Sequence, residues 1–565
     1  MWNFLKKFFC YGITWIVFVK FEYKFKYKGL KDLAVKKQTF LKGILFVMLS
    51  QFIIKILGFV YRIVLTNFKE FGDVGNSYYG SGYTVYTLIL AVATMGIPNT
   101  ISKLVSEKIA IGDRRGAHKI FRVALGLFSF TAIIFSLMLF FGSSFIAEKL
   151  LSNPGVKYTL MALSPAIIFV ALSAVLRGYF IGMQNMVEYS KAQIIEQVVN
   201  SVCSIIFVVM LFGSTPEIMA AGSTLATTVA ASTTFVYLYM YYAKNKKDIW
   251  EEIKKSEKFA IEPTKKVIET LIICVIPIAF GSIISSLSGL IDTVTVIDGF
   301  QKFKYTLVEA NQKFGIYTGK VDVLVTVPLS LNVAFSIALV PFISGAVKKG
   351  RRDEAIEKIK FSLKISSLIA FPCMAGLCFF APEIFALLFP NSPDGAYLLS
   401  IQSLMLVFAV LAQTAYGAVQ GLGKLYVPGI CLLLGAIVKY VVNVVFIPIY
   451  GDVVPAISTV LFNFVAFVSV FIVLYKTIKQ KPDIKELFLK PIGITVLMVV
   501  VLLASEKVLL LVGLNAKITY IVSIVLAVIS YLFFVLKFRI LSESELKQLP
   551  LGDKIAKIAC KPKKK

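Results

Sequence analysis

The long apolar runs of this chain carry a small set of charged and amide side chains at helical spacing. Gln51, Lys55, Gly58 and Arg62 follow one another at intervals of four, three and four, so one helical face holds both cations. Exposing a charge to hydrocarbon costs several kcal/mol, so Lys55, in mid-run, must face a hydrated cavity or a partner. Arg62 lies nearer the end of its run and is long enough to snorkel. Cys431, Gly435, Lys439 and Asn443, each four apart, repeat the device with Lys439 again in mid-run. For these lysines a cavity role and a structural ion pair are both open. Another run presents Gln193, Glu196, Gln197 and Asn200, and Glu196 is the one acid well inside a predicted span. Gly281, Ser285, Ser288, Gly289 and Asp292 make a small polar face whose Asp292 is either part of the site or interfacial, and Arg177 closes a run on the inner side. Cations outnumber acids in this interior. Lys and Arg in a low-dielectric cavity favour phosphate-type ligands through charge-assisted hydrogen bonds, whereas a carrier of cationic drugs needs the opposite sign.

These residues sit on the helices of an all-α integral membrane protein. Of 565 residues, 58% are apolar and 16% charged, against roughly 45–50% and about a quarter in soluble proteins. At about 20 residues per crossing, the runs make about 14 transmembrane helices and leave no room for a sizeable soluble domain. Seven cysteines are scattered without a CxxC pair and His118 is the single histidine, so neither a metal centre nor a catalytic triad has its residues. Gly417 to Lys424 (GAVQGLGK) has the wrong spacing for a nucleotide-binding loop, and Leu425 stands where Ser or Thr is needed. A non-enzyme without cofactor or metal is expected, driven by an ion gradient, the membrane potential or product removal. The net charge of +28 reflects topology: both termini are expected in the cytoplasm of a bacterial cell, with basic clusters facing anionic inner-leaflet lipids of the plasma membrane and no nucleic acid.

The chain repeats itself. Gly112-Asp-Arg-Arg-Gly-Ala117 returns as Gly350-Arg-Arg-Asp-Glu-Ala355, an offset of 350 − 112 = 238. Phe169, Leu172, Gly178 and Gly182 return as Phe408, Leu411, Gly417 and Gly421, an offset of 408 − 169 = 239. Two six-helix lobes follow, 41–242 and 267–476, parallel-related about an axis along the membrane normal because six is even. Around them lie a basic arm with an interfacial helix (1–40, apolar at 8–19), linkers at 243–266 and 477–489, two C-terminal helices (490–537) and a basic tail (538–565). The outer segment 293–320 reads as a solvated loop with room for a short helix.

Several stretches carry a family resemblance. Ile54-Lys-Ile-Leu-Gly-Phe-Val-Tyr-Arg-Ile63, Thr94-Met-Gly-Ile-Pro-Asn-Thr-Ile-Ser-Lys103, Leu176-Arg-Gly-Tyr-Phe-Ile-Gly-Met-Gln-Asn-Met186 and Lys439-Tyr-Val-Val-Asn-Val-Val-Phe-Ile-Pro-Ile-Tyr-Gly451 resemble the SpoVB and YtgP branch of lipid II flippases, relatives of MurJ in the MOP exporter superfamily. The resemblance implies a two-lobed carrier whose cationic cavity holds the pyrophosphate and sugar of an undecaprenyl-linked substrate. By position Lys55 matches the first cavity cation and Arg62 lies one residue from the second. Asp322 matches an acid at the start of span eight, while Val323 stands where Gram-negative members carry arginine. Lys439 and Asn443 fall near a sodium position of some members, and the Lys439 ammonium is expected to replace that ion.

The expected activity is flipping of lipid II from inner to outer leaflet by alternating access, with Lys55, Arg62 and Lys439 recognising the anion. Arg177, Glu196, Gln197, Asn200, Asp292, Asp322 and Asn443 are expected to form gate and polar networks. Alternatives are another lipid-linked polysaccharide (capsule, teichoic acid or spore cortex), a cation-coupled multidrug antiporter, and a scaffold for cell-wall synthesis enzymes.

Overall fold

The computed structural model describes residues 40–547, apart from Met95, Gln184, Glu257, Lys258, Ala260 and Ile261. The expected interfacial helix near 8–19 and most of the basic tail lie outside the described residues. Within them there is no strand, and the helices run as α1 Phe40–Thr66, α2 Gly72–Ala93, α3 Ile97–Ala110, α4 Arg114–Phe145, α5 Val156–Gly182, α6 Met186–Met210 and α7 Pro216–Lys244. A short α8, Lys246–Lys255, leads to α9 Thr264–Lys302, α10 Leu307–Ile316, α11 Asp322–Lys348, α12 Arg352–Phe379, α13 Ala381–Leu388, α14 Ala396–Ser403, α15 Met405–Gly421, α16 Val427–Tyr450 and α17 Val454–Ile478. The chain closes with α18 Lys490–Leu511, α19 Ala516–Lys537 and α20 Glu543–Lys547. Among the described residues nine stretches are long and apolar enough to cross a membrane, and the longest, Val427–Ile478, is α16 and α17 turned back at Gly451.

Local chemistry sets the helix ends. The Asp113 side chain accepts from the Gly116 amide and starts α4, and Asn185 caps α6 in the same way. Prolines occupy the first turns of α3, α7, α16 and α17, where a missing amide proton costs nothing. Gly112 and Gly350, the equivalent glycines of the repeated motif, both take positive φ, +85° and +73°, in the turns before α4 and α12.

The repeat is built into the packing. In the first half α5 lies against α3, α4 and α7, α6 against α7, and α1 against α6; the same five pairings recur as α15 with α11, α12 and α17, α16 with α17, and α9 with α16. Even the close approaches repeat. A Cβ on Gly182 would meet Val105 and the Ser102 carbonyl, and one on Gly421 would meet Ile343 and the Val340 carbonyl. The glycines are therefore helix-crossing contacts, as small residues at regular spacing usually are in membranes.

The α18–α19 hairpin docks on α12, where the Tyr531 hydroxyl donates to the Leu368 carbonyl (2.8 Å) and Lys364 pairs with Glu486 and Glu545, each at 3.1 Å. The segment between the halves is strapped to the first half: Arg114 pairs with Glu252, and Lys108 with Glu262 at 2.7 Å. That hydrogen bond holds the Glu262 carboxyl below its ordinary range.

One expectation is corrected here. The segment 293–320 does contain a short helix, α10, but it is not a solvated loop, because α9 continues to Lys302, a Thr306–Glu309 capping box starts α10, and a π-turn, Tyr317–Val321, runs straight into α11. Its Ala310, Phe314 and Tyr317 are buried, so the segment reads as polar in composition but spends its apolar residues inward.

Replacing Gly182 or Gly421 by Val is expected to overpack the two equivalent crossings and destabilise the protein by about 1–3 kcal/mol each. Gly126→Ala, where no atom lies within 4 Å of the added carbon, should leave the thermal unfolding midpoint in detergent unchanged or slightly higher.

Candidate functional site

Two of the polar clusters among the described residues hold most of the residues singled out above, one cluster in each half. In the first, α1 lies on α6 with Gly58 at the contact, where an added Cβ would sit 3.5 Å from the Gln197 amide nitrogen. Lys55 is exposed and Arg62 is 7% exposed. Neither has a carboxylate in ion-pair range among the described residues. Arg62 instead lies 4.0 Å over the Tyr79 ring, and its Nη1 is buried without a hydrogen-bond partner. The ring supplies a cation–π contact that a carboxylate would otherwise replace. Tyr79, Tyr83 and Tyr86 form a ladder along α2, with ring centroids 5.6 Å apart at each step, and the Tyr61 and Tyr79 hydroxyls are 3.0 Å apart.

Arg177, in the last turns of α5, and Glu196, midway along α6, form an ion pair. Gln197 stands apart from it, donating to the Ser201 hydroxyl (3.3 Å), and Asn200 accepts from Thr227 (3.2 Å).

The second cluster joins α9, α16 and α17. Lys439 is 1% exposed, and its ammonium donates to Asp292 Oδ2 (2.5 Å), the Thr459 hydroxyl (2.8 Å) and the Ser288 hydroxyl (2.9 Å). Asn443 donates to Asp292 Oδ1 (3.0 Å) and Thr295 (2.9 Å), and the Tyr317 hydroxyl donates to Asp292 at 3.1 Å. All three ammonium protons are taken. The grouping of Lys439 with Lys55 and Arg62 therefore does not match this geometry, because Asp292, on the facing helix, already neutralises it. Nor do these residues fit a resident sodium ion, since an ammonium fills the position between Asp292 and Thr459. Among the described residues no three His, Cys, Asp or Glu side chains converge on a metal position. Asp322 joins neither cluster and accepts from Gln402 (2.5 Å).

Sequence reasoning missed a second fully buried charge pair, Asp73 with Lys320 at 2.8 Å. Its only signal was a lysine directly after Gly319 at the edge of an apolar run, which reads equally well as a helix end. The tyrosine ladder, spaced four and three apart, was visible as a pattern but carries no charge to draw attention.

Comparison with known proteins places this architecture. The family model described as "Polysaccharide biosynthesis protein" matches residues 40–347, and the model described as "MatE" matches 321–445. The chain belongs to the polysaccharide biosynthesis protein family. It is 29% identical over 366 residues to stage V sporulation protein B of Bacillus subtilis (64% of this chain, 69% of that protein). It is 26% identical over 425 residues to the lipid II flippase MurJ of the same organism (72% of this chain, 76% of that one). Among solved structures it is similar to the lipid II flippase MurJ in an inward closed conformation, at a TM-score of 0.63 and 15% identity, covering 88% of this chain and 99% of that one. A MATE family multidrug transporter in an inward-facing conformation follows at a TM-score of 0.62 and 15% identity, covering 76% of this chain and 98% of that one. The fold is that of the MOP superfamily.

Lys439→Met strands a buried carboxylate and is expected to cost about 3–5 kcal/mol, read as a lower thermal unfolding midpoint; adding Asp292→Asn should recover most of the loss. Exchanging sodium for choline at constant ionic strength should leave the wild-type midpoint in place.

Proposed function

We propose that this protein is a flippase for a lipid-linked, pyrophosphate-bearing glycan, lipid II first, moving it from the inner to the outer leaflet by alternating access. The observation that carries this reading is the pairing pattern. Arg177 and Lys439 are neutralised by Glu196 and Asp292, which leaves exposed Lys55 and buried Arg62, on one face of α1, as cations of the helical runs without a carboxylate partner among the described residues. A pyrophosphate is the ligand chemistry that completes them, through charge-assisted hydrogen bonds to the ammonium and to the orphaned guanidinium nitrogen. A drug cation at the same place would meet two like charges, which disfavours the antiporter reading.

In this reading the lobes 41–242 and 267–476 rock about the substrate, and the termini are cytoplasmic. Arg177 and Glu196, with Gln197 and Asn200 on the same helix as Glu196, shape the first half's side of the inner gate, while the Lys439–Asp292–Asn443 cluster takes the place of a bound ion and keeps α9, α16 and α17 together. The similarity to stage V sporulation protein B supports a second reading, in which the glycan is a spore-cortex intermediate with the same pyrophosphate and tail.

Complementation tests the proposal. In a bacterium depleted of its own lipid II flippase, the wild type should restore lipid II to the outer leaflet, whereas Lys55→Ala and Arg62→Gln, inserted at normal levels, should not. Failure of a well-inserted wild type would remove lipid II as the cargo and leave the other glycan.

A further inference from the structure

The buried pair that sequence reasoning missed differs from the Lys439–Asp292 and Arg177–Glu196 pairs in what it connects. Lys439 and Asp292 belong to one half, as do Arg177 and Glu196, so both pairs keep their partners when the halves move. Asp73 begins α2 in the first half, and Lys320 lies in the π-turn before α11 in the second. Lys320 is fully buried, with its ammonium 2.8 and 3.0 Å from the Asp73 carboxylate oxygens, 2.7 Å from the Ser392 carbonyl and 2.9 Å from its hydroxyl. Ser392 in turn donates to Asp73 (2.8 Å).

The seam around this pair is polar and close. Ser77 donates to Asn311 across it (2.6 Å), and Asn67 donates to the Leu388 carbonyl (2.7 Å). The backbones approach so nearly that a Cβ on Gly315 would lie 1.6 Å from the Asp73 carbonyl oxygen. The large apolar clusters at this end stay almost wholly on their own sides, one built on residues 61–220 and the other on 296–456. Separating the halves here therefore exposes polar groups that water can satisfy, and it tears little apolar core.

We propose that Asp73 and Lys320, with Ser392, are the latch of the gate at the end of the bundle expected to face outside. The proposal rests on the alternating-access reading for its purpose but not for its measurement. Paired and dry, the two charges satisfy each other; apart and wet, both are hydrated. The intermediate, one charge buried without its partner, is the costly arrangement, so the latch makes the gate two-state. The Tyr317 hydroxyl, three residues before Lys320, reaches Asp292, so the same turn ties the latch to the second half's fixed cluster.

The test uses the full chain in nanodiscs with its native cysteines replaced, a reporter Ser77→Cys at the seam and, separately, Ser366→Cys in the second half's own interior. Both positions are fully buried. With the latch intact, a polar maleimide should react slowly at either. Lys320→Met and Asp73→Asn should each speed labelling at position 77 on the order of tenfold or more, leaving position 366 protected, because a stranded buried charge favours the open, hydrated state. The exchanged pair, Asp73→Lys with Lys320→Asp, should restore protection. Unchanged labelling at position 77 in both single variants overturns the latch, and so does an equal rise at both reporters, which is general loosening. Labelling requires no lipid substrate, so loss of the flippase reading through failed complementation leaves this result standing, and the reverse also holds.

Discussion

A charge placed where nothing can solvate it must find its partner within the protein, and the arrangement of this molecule turns on how each interior cation meets that demand. Lys439 meets it with Asp292 and two hydroxyls, Arg177 with Glu196, Lys320 with Asp73 and Ser392. Arg62 meets it only partly, with the face of Tyr79. Each solution fixes which helices lie side by side. The pairs within a half bind helices that travel together, and the pair between halves marks the surface where they separate. What is left incompletely satisfied, the α1 face with Lys55 and Arg62, is the place where a ligand has something to add.

The second organising constraint is how helices associate when lipid is as apolar as their own side chains. Close approach then depends on small residues and on hydrogen bonds, since no hydrophobic gain drives it. Gly182 against α3 and Gly421 against α11 are the same contact made twice, and Gly315 and Gly319 extend the device to the seam between the halves. The seam differs from the crossings in chemistry. Crossings within a half are backed by leucine, isoleucine and phenylalanine, which hold them shut. Amide, hydroxyl and ionic groups line the seam, and those exchange readily with water. A rocking carrier needs both kinds of contact, rigid inside each half and reversible between them.

Much of this was legible in the sequence because membrane helices write their constraints in short-range patterns. A period of 3.6 residues placed Lys55 with Arg62 and Lys439 with Asn443, the positive clusters gave an expected orientation, and a recurrent spacing of 238–239 residues revealed the repeat that the helix pairings reproduce. Those features are local, or repeat at a fixed offset, so a single chain displays them without any knowledge of its neighbours. The Arg177–Glu196 pair was also within reach, because the two residues lie only 19 positions apart on consecutive helices of one half and are of opposite charge.

The sequence by itself thus determined that the chain is a doubled helical bundle in a membrane with a cationic interior, and which side chains share a face. Only the tertiary structure decided which of those cations are free. Lys439 and Lys55 look alike in their runs, yet one meets Asp292 from a helix nearly 150 positions away and the other meets no carboxylate among the described residues. Lys320 looks like the edge of a loop, yet Asp73, 247 residues earlier, draws it fully inside. Neutralisation depends on distance in space, since a direct charge-assisted contact forms only within hydrogen-bond range, and no periodicity along the chain encodes that distance.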